Sequence, residues 1–432
     1  MMSPELQIAF SFGAFLSLLA CGMSVPFAIA VPGTLYLILQ NGLDALRGLG
    51  LVTWGSMDSF TLTAVPLFVL MAEIMQFSGL SSRIYRGLSR LVCRVPGGLV
   101  QTNIVGCALF AAITGSSVAT AASIGGVALP QLLRRGYEPR LSAGSLAAGG
   151  TLGILFPPSV ALIIYGSLTD TSIARLFMAG VIPGLMLTAM FMIYVAIYAL
   201  VRPHSTPAEP PLVSLAELGR ALADVVPFVL LIGGTMGSMY FGLVTPVEAA
   251  TAGCIFATIL AILMGELTLD KFRQALRRTV LIVGNLLFII YAAFIFAYAI
   301  DTSGLGEELT GWIVGLQLSR LEFFFALFLL YSVLGCLVES IGMMVVTVPL
   351  LHPVLLQYGI SPIWFGVILV MYIELGQISP PIGINLFVIQ SIWTGVLRDV
   401  VLGTMPFHVI MFVLLLILSV WPDLVLWLPG RM

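Results

Sequence analysis

The sequence predicts an all-α integral membrane protein, built as an inverted-topology repeat with two re-entrant hairpins and two broken helices. Three observations carry that expectation. The first is composition: 59% of the 432 residues are hydrophobic and only 9% are charged, against about 25% in a soluble domain. The second is a pair of adjacent prolines inside an apolar run, "LGILFPPSV" at 152–160. Each proline removes a backbone donor and clashes with the preceding turn. The third is that this oddity occurs twice, at symmetry-related places.

The elements follow in order. Apolar spans are expected near 7–23, 25–39, 60–77, 98–113, 141–168, 176–201, 225–242, 246–265, 279–300, 322–337, 362–395 and 401–422. Many approach the roughly 20 residues that a helix needs to cross a bilayer. The most polar interior stretch, "RPHSTPAEPPLVSLAELGRALAD" at 202–224, reads as a cytoplasmic linker between a first half, 1–201, and a second, 225–432. The formal charge of -2 says nothing about partners, but the chain has no basic run of the kind nucleic-acid binding needs. Cys21, Cys93, Cys107, Cys254 and Cys336 form no CxxC pair and read as small packing residues. His204, His352 and His408 are isolated, so no metal centre is expected from them. The start, "MMSPELQIAF", has no basic n-region and is not read as a cleaved signal peptide.

Positive charge sets the orientation. Arg83, Arg86, Arg90 and Arg94 precede one apolar stretch, and Arg134, Arg135 and Arg140 follow it. With both clusters cytoplasmic, the segment near 98–133 enters and leaves on one side, turning near Gly115, Ser116 and Ser117. An ordinary pair of short helices with a small-residue packing face is the alternative. Onward, 141–168 crosses outward and 176–201 returns. The linker and "LDKFRQALRR" (269–278) then fall inside, and Asp301, Glu307 and Glu308 outside. The second cluster, a hairpin near 322–357 and a broken helix at 362–395, therefore starts from the opposite face.

A single ungapped offset shows the duplication. It places Ser117 on Ser340, Pro130 on Pro353, Gly136 on Gly359, Pro139 on Pro362, Gly153 on Gly376, and Pro157 and Pro158 on Pro380 and Pro381. Leu132, Leu133 and Leu152 fall on Leu355, Leu356 and Leu375, and farther out "SGL" at 78–80 recurs at 303–305 with a small gap. Inverted repeats of this kind place substrate and ions near the midplane at broken helices, and irregular backbone at that depth is tolerated where it lines a cavity. No HExxH, GxSxG or histidine cluster is present, so the chain is not read as an enzyme. The symmetric hairpins argue for alternating access over a channel.

With these motifs in hand, the chain resembles the large membrane subunit of tripartite ATP-independent periplasmic (TRAP) transporters, DctM-like. The resemblance is carried by "FAAITGSSVATAASIGG" (110–126), "GGTLGILFPPS" (149–159), "TPVEAA" (245–250) and "GQISPPIGINLF" (376–387), and covers nearly the whole chain. It implies an elevator-type secondary transporter of the ion transporter superfamily, multi-pass in a bacterial inner membrane. Sodium ions are the implied coupling ions, and no other cofactor is expected. The implied partners are a small membrane subunit of about four helices, a periplasmic substrate-binding protein, membrane lipid and a small organic acid. The small subunit is expected as a separate chain, because the large-subunit pattern begins at once. A stand-alone sodium/dicarboxylate-type symporter of the same superfamily is the alternative.

Oxygen-rich, uncharged segments suit sodium. The resemblance implies a first ion site among Thr114, Gly115, Ser116, Ser117, Gly153, Phe156 and Pro158, and a second among Gly335, Ser340, Gly376, Ser379 and Ile382. Ser116, Ser117, Ser159, Glu339, Ser340 and Asn385 are the expected substrate contacts. Glu339 and Glu374 break the symmetry, standing where the first repeat has Ser116 and Thr151. Carboxylates in apolar surroundings face a cavity or a partner. The choices for each are to bind an ion, take a proton or fix the second hairpin to its helix. Glu73 and Glu248 read as helix caps or braces. No intramembrane arginine stands out, so an anion is expected to lean on half-helix N-termini.

Overall fold

The computed structural model describes residues 13–432 except Cys93, 208–213 and Ser303. The very start of the chain, Cys93, the middle of the linker and the first residue of the second "SGL" therefore lie outside the described residues. Everything described is helix, turn or coil, with no strand among the described residues. Among the described residues, seven helices are long and apolar enough to cross a membrane, from Phe60–Phe77 to Leu397–Val420.

The first hairpin consists of Leu99–Thr114 and Ser117–Arg134. Its turn is made by Gly115, in the left-handed region at φ 58°, and by extended Ser116. Glycine adopts that conformation without a Cβ penalty. Space demands it too: a methyl group at Gly115 would lie 2.6 Å from the carbonyl oxygen of Pro158. The hairpin tip is therefore seated directly on the break. Gly136, at φ 80°, ends the second arm, and Pro139 opens the next helix at its first turn. Proline is tolerated there because its missing N–H would have no intrahelical partner.

That helix, Pro139–Leu155, stops at Phe156 and resumes as Val160–Leu168, with Ser159 capping the restart through the Leu162 amide at 3.4 Å. The Pro157–Pro158 bond is cis, as is Pro380–Pro381. The second repeat follows the same plan: arms Arg320–Leu337 and Ser340–Gln357, then Pro362–Gln377, a break, and Ile384–Ile392. Gly359 ends the second arm at φ 64°, and Pro362 opens the next helix, matching Gly136 and Pro139.

The two repeats interlock. The half-helix beyond the first break, Val160–Leu168, packs on the second hairpin's Ser340–Gln357. The half-helix beyond the second break, Ile384–Ile392, packs on the first hairpin's Ser117–Arg134 and on Pro139–Leu155. Packed also by both arms of its own hairpin and by Leu397–Val420, Pro139–Leu168, apolar enough to face lipid, is enclosed by protein over 94% of its span window. Glycines allow the closest crossings; Gly144 of this helix lies against the backbone of Gly403. Around the interlocked core, Leu269–Thr302 packs against Val25–Asn41 and Ala64–Phe77, and Pro246–Leu263 packs on Ala64–Phe77.

Candidate functional site

Each break frees backbone carbonyls by simple register. In a continuous helix the N–H of residue i+4 would satisfy the carbonyl of residue i. Here the residues four beyond Gly153 and Ile154 are Pro157 and Pro158, and those four beyond Gly376 and Gln377 are Pro380 and Pro381. None of these prolines has a donor to give. The Gly376 carbonyl takes the Ser379 amide at 3.0 Å instead, which leaves it a second lone pair.

The hairpins meet these breaks closely. A side chain at Gly153 would run into the backbone of Ser116 and Ser117. In the second repeat, a methyl at Gly335 would stand 2.7 Å from the Gly376 Cα, on the arm's approach to its own break. Cys336, beside it, directs its thiol at the Pro380 carbonyl at 3.3 Å and the Ser379 carbonyl at 3.6 Å. The candidate ion-site segments are thus brought together pairwise, hairpin to break. Within them, the Thr114 hydroxyl donates to the Phe110 carbonyl at 3.2 Å and shares a 2.8 Å bond with Thr120. The Ser379 hydroxyl bonds the Leu375 carbonyl at 2.6 Å. Phe156 lays its ring against Gly184. Ile382 is 41% exposed.

Between the hairpin tips lies a cavity of about 450 Å³. Thr114, Gly115, Ser116 and Ser117 line it from the first hairpin, and Glu339 and Ser340 from the second. Ser159 and Asn385 are fully buried behind that lining. Asn385 reaches it indirectly, donating its amide to the Ser117 hydroxyl at 2.6 Å. Glu374 is also buried behind the wall and accepts the Ser117 hydroxyl at 3.0 Å.

Glu339 is the N-cap of its arm. Its Oε2 accepts the amides of Ile341 at 3.2 Å and Gly342 at 3.4 Å, and its Oε1 accepts the Ser340 hydroxyl at 2.7 Å. Ser116, its repeat partner, caps the equivalent arm through the Ala119 amide at 3.4 Å. The two caps differ in charge. The second hairpin's N-terminal half-charge is already answered by a carboxylate, whereas the first hairpin's is answered only by a hydroxyl.

Two charged groups in the cavity were not expected there. Arg278 lines it, with Ile282, Asn285 and Leu286 from the same helix. The flank "LDKFRQALRR" reads in sequence as a purely interfacial basic segment, yet Leu269–Thr302 is 34 residues long. About 20 residues suffice to span a bilayer, so its basic end has length to spare. The signal was the spacing: Arg278, Ile282 and Asn285 recur every three to four positions and share one helix face. Glu73 lines the cavity as well, with its Oε2 buried and unpartnered, rather than serving only as a brace. Glu248 does serve as a cap, closing a capping box with Thr245.

The chain as a whole is matched by known proteins. The model of the family described as "Tripartite ATP-independent periplasmic transporter, DctM component" matches residues 12–424. The chain belongs to this family. It is therefore the large permease subunit of a TRAP transporter, a multi-pass membrane component of a tripartite secondary transport system. The C4-dicarboxylate TRAP transporter large permease protein DctM of Pseudomonas aeruginosa is 31% identical, covering 93% of this chain and 94% of the relative. The sialic acid TRAP transporter large permease protein SiaM of Vibrio cholerae is 30% identical, covering 97% of each. Among solved structures, the Alcanivorax borkumensis YdaH transporter superposes with a TM-score of 0.67 over 95% of this chain and 98% of that one. At 14% identity that likeness concerns the fold alone.

Proposed function

We propose that this TRAP subunit couples a sodium gradient to the uptake of a small organic anion. In this reading the anion is handed over by a periplasmic binding protein, and a small membrane subunit completes the complex in a bacterial inner membrane. The observation that carries the reading is Arg278 in the cavity between the two hairpin tips. A guanidinium presents a planar fork of donors that matches a carboxylate, and the uncharged N-terminus at Ser117 faces the same space. The relatives named for C4-dicarboxylates and for sialic acid point to substrates that carry a carboxylate.

Cation coupling follows from the balance of charge. Arg278 shares the cavity with Glu73 and Glu339, so the ionised lining carries more negative than positive side chains. An organic anion entering alone meets a net repulsion from this lining. Cations seated at the two breaks reverse that field, which makes anion binding depend on ion binding. Freed carbonyls at broken helices are the usual sodium ligands in such transporters. The interlocked packing supports an elevator movement, because hairpins and breaks hold one another and travel as one body against the surrounding helices.

Uptake by vesicles reconstituted with the complete tripartite system tests this. Replacing external sodium by potassium at constant pH is expected to abolish accumulation of the anion. Undiminished uptake in potassium, driven by a pH gradient alone, overturns the sodium reading.

A further inference from the structure

Glu374 is 1% exposed, and no ion pair reaches it among the described residues. A buried carboxylate without a compensating positive charge is too costly to stand alone. Its one polar contact fixes the hydrogen-bond order around it. Ser117 has a single hydroxyl proton and gives it to Glu374 Oε2 at 3.0 Å. Ser117 must then accept from Asn385, whose Nδ2 lies 2.6 Å away. The amide of Asn385 is thereby oriented with its oxygen turned from the serine.

What remains is a set of unanswered oxygens. Glu374 Oε1 and Asn385 Oδ1 are buried and have no partner. Gln377 lies three residues beyond Glu374 on the same helix, and so on its face. It is fully buried, with Oε1 and Nε2 both unpartnered. A hard cation takes oxygen ligands of this kind, carboxylate and amide together. A helix restraint needs no such surplus of lone pairs.

We propose that Glu374, Asn385 and Gln377 hold a sodium ion between the first hairpin and the second break, with the carboxylate supplying the countercharge. Ser117 orients two of these ligands and has one lone pair left to add. The site is distinct from the two neutral sites at the breaks and has no symmetry mate. Thr151 and Leu162 stand where the second repeat has Glu374 and Asn385, and the Thr151 hydroxyl is satisfied by the Ala148 carbonyl at 2.5 Å. Because its ligands come from the second repeat and are held by the first hairpin's Ser117, loading it ties the two repeats together. The proposal rests on the sodium-coupled reading above only in naming sodium as the cation.

The test is radioactive sodium binding to the purified full-length chain, counting ions at saturation for the wild type, Glu374→Gln, Asn385→Leu and the neutral-break variant Pro157→Ala/Pro158→Ala. Glu374→Gln keeps an acceptor for Ser117, and thermal unfolding in sodium-free buffer verifies that each variant is folded. The expected result is one ion fewer in Glu374→Gln, an affinity loss of about tenfold or more in Asn385→Leu, and loss of a different ion in the proline variant. An unchanged ion count and affinity in Glu374→Gln overturns the proposal. So does an unchanged count accompanied by loss of one bound proton, which makes the occupant a proton. If Glu374→Gln loses an ion while the proline variant does not, this site stands and the neutral site fails. If the wild type binds no sodium, both readings fall.

Discussion

Gly335 and Gly376 touch backbone to backbone: a methyl on either would stand 2.6–2.7 Å from the other's Cα. The contact joins the last turn of a hairpin arm to the last turn before the second break. Atoms at that separation have no room for a side chain, and backbone cannot step aside as a flexible side chain can. Gly335→Ala is expected to lower stability by about 1–3 kcal/mol, the usual cost of overpacking, and to impair transport by lifting the arm from the break. Gly311→Ala, inside a helix where an added Cβ has open space, serves as the control and is expected to leave transport unchanged and stability unchanged or slightly raised, since alanine is the better helix former. Thermal unfolding and uptake read the two effects, and wild-type stability in Gly335→Ala counts against a rigid seat.

The charge map makes a topological prediction. Ser82, at the start of the helix bearing Arg83 to Arg90, and Gly136, just after Arg134 and Arg135, are both exposed and should lie toward the same side of the membrane. Single cysteines at these positions, in a chain lacking its native cysteines, should both resist an impermeant thiol reagent applied from outside and label after permeabilisation. External labelling of only one would turn the hairpin into a true crossing.

What was legible in the sequence was whatever local stereochemistry dictates. Two adjacent prolines in an apolar run leave consecutive carbonyls without donors and break the helix there, and a repeated Gly136–Pro139 or Gly359–Pro362 pair ends one helix and opens the next. The hairpin turn was legible for the same reason, since Gly115 and Ser116 suit a left-handed end followed by a cap. The contacts between repeats were not. Ser117 and Glu374 are separated by 257 residues, and Ser117 and Asn385 by 268. No periodicity encodes such a meeting. Arg278 was misread for another reason: one arginine among several at a helix end looks like an orientation signal. Only the face shared with Asn285 marks it as part of the cavity lining.

The paired breaks should behave alike when repaired. Changing Pro157 and Pro158 to alanine returns donors to the Gly153 and Ile154 carbonyls and favours continuous helix, since proline costs about 3 kcal/mol relative to alanine there. The carbonyls are then reclaimed and lost to any ion. A ligand that binds only the native state stabilises it according to its occupancy, so sodium-dependent thermal stabilisation should weaken in this variant and in Pro380→Ala/Pro381→Ala. Normal membrane insertion is expected in both. Full sodium stabilisation in both would place the ion sites elsewhere.

Arg278 separates anion binding from ion binding. Arg278 lines the cavity from an exposed position, so its contact with an anion is worth about 1.5–3 kcal/mol, the range for a hydrogen bond to a charged group, and about 1.4 kcal/mol is a factor of ten. Arg278→Gln should therefore weaken half-saturation by substrate by about 10- to 100-fold, leaving the anion facing Glu73 and Glu339. Arg278→Lys keeps the charge but presents a flexible point donor in place of the fork, so an intermediate loss is expected. Sodium-dependent stabilisation in the absence of substrate should persist in both variants, because the freed carbonyls belong to other helices. This split is what a merely structural arginine would not produce: a misfolded cavity would lose sodium response and substrate together. The sign can be probed further at Glu73, whose carboxylate lines the same cavity. Glu73→Gln relieves repulsion, so it should reduce the amount of sodium required for half-maximal substrate binding. Uptake titrated against sodium at fixed substrate measures that shift, and a higher sodium requirement in Glu73→Gln would instead make this carboxylate an ion ligand.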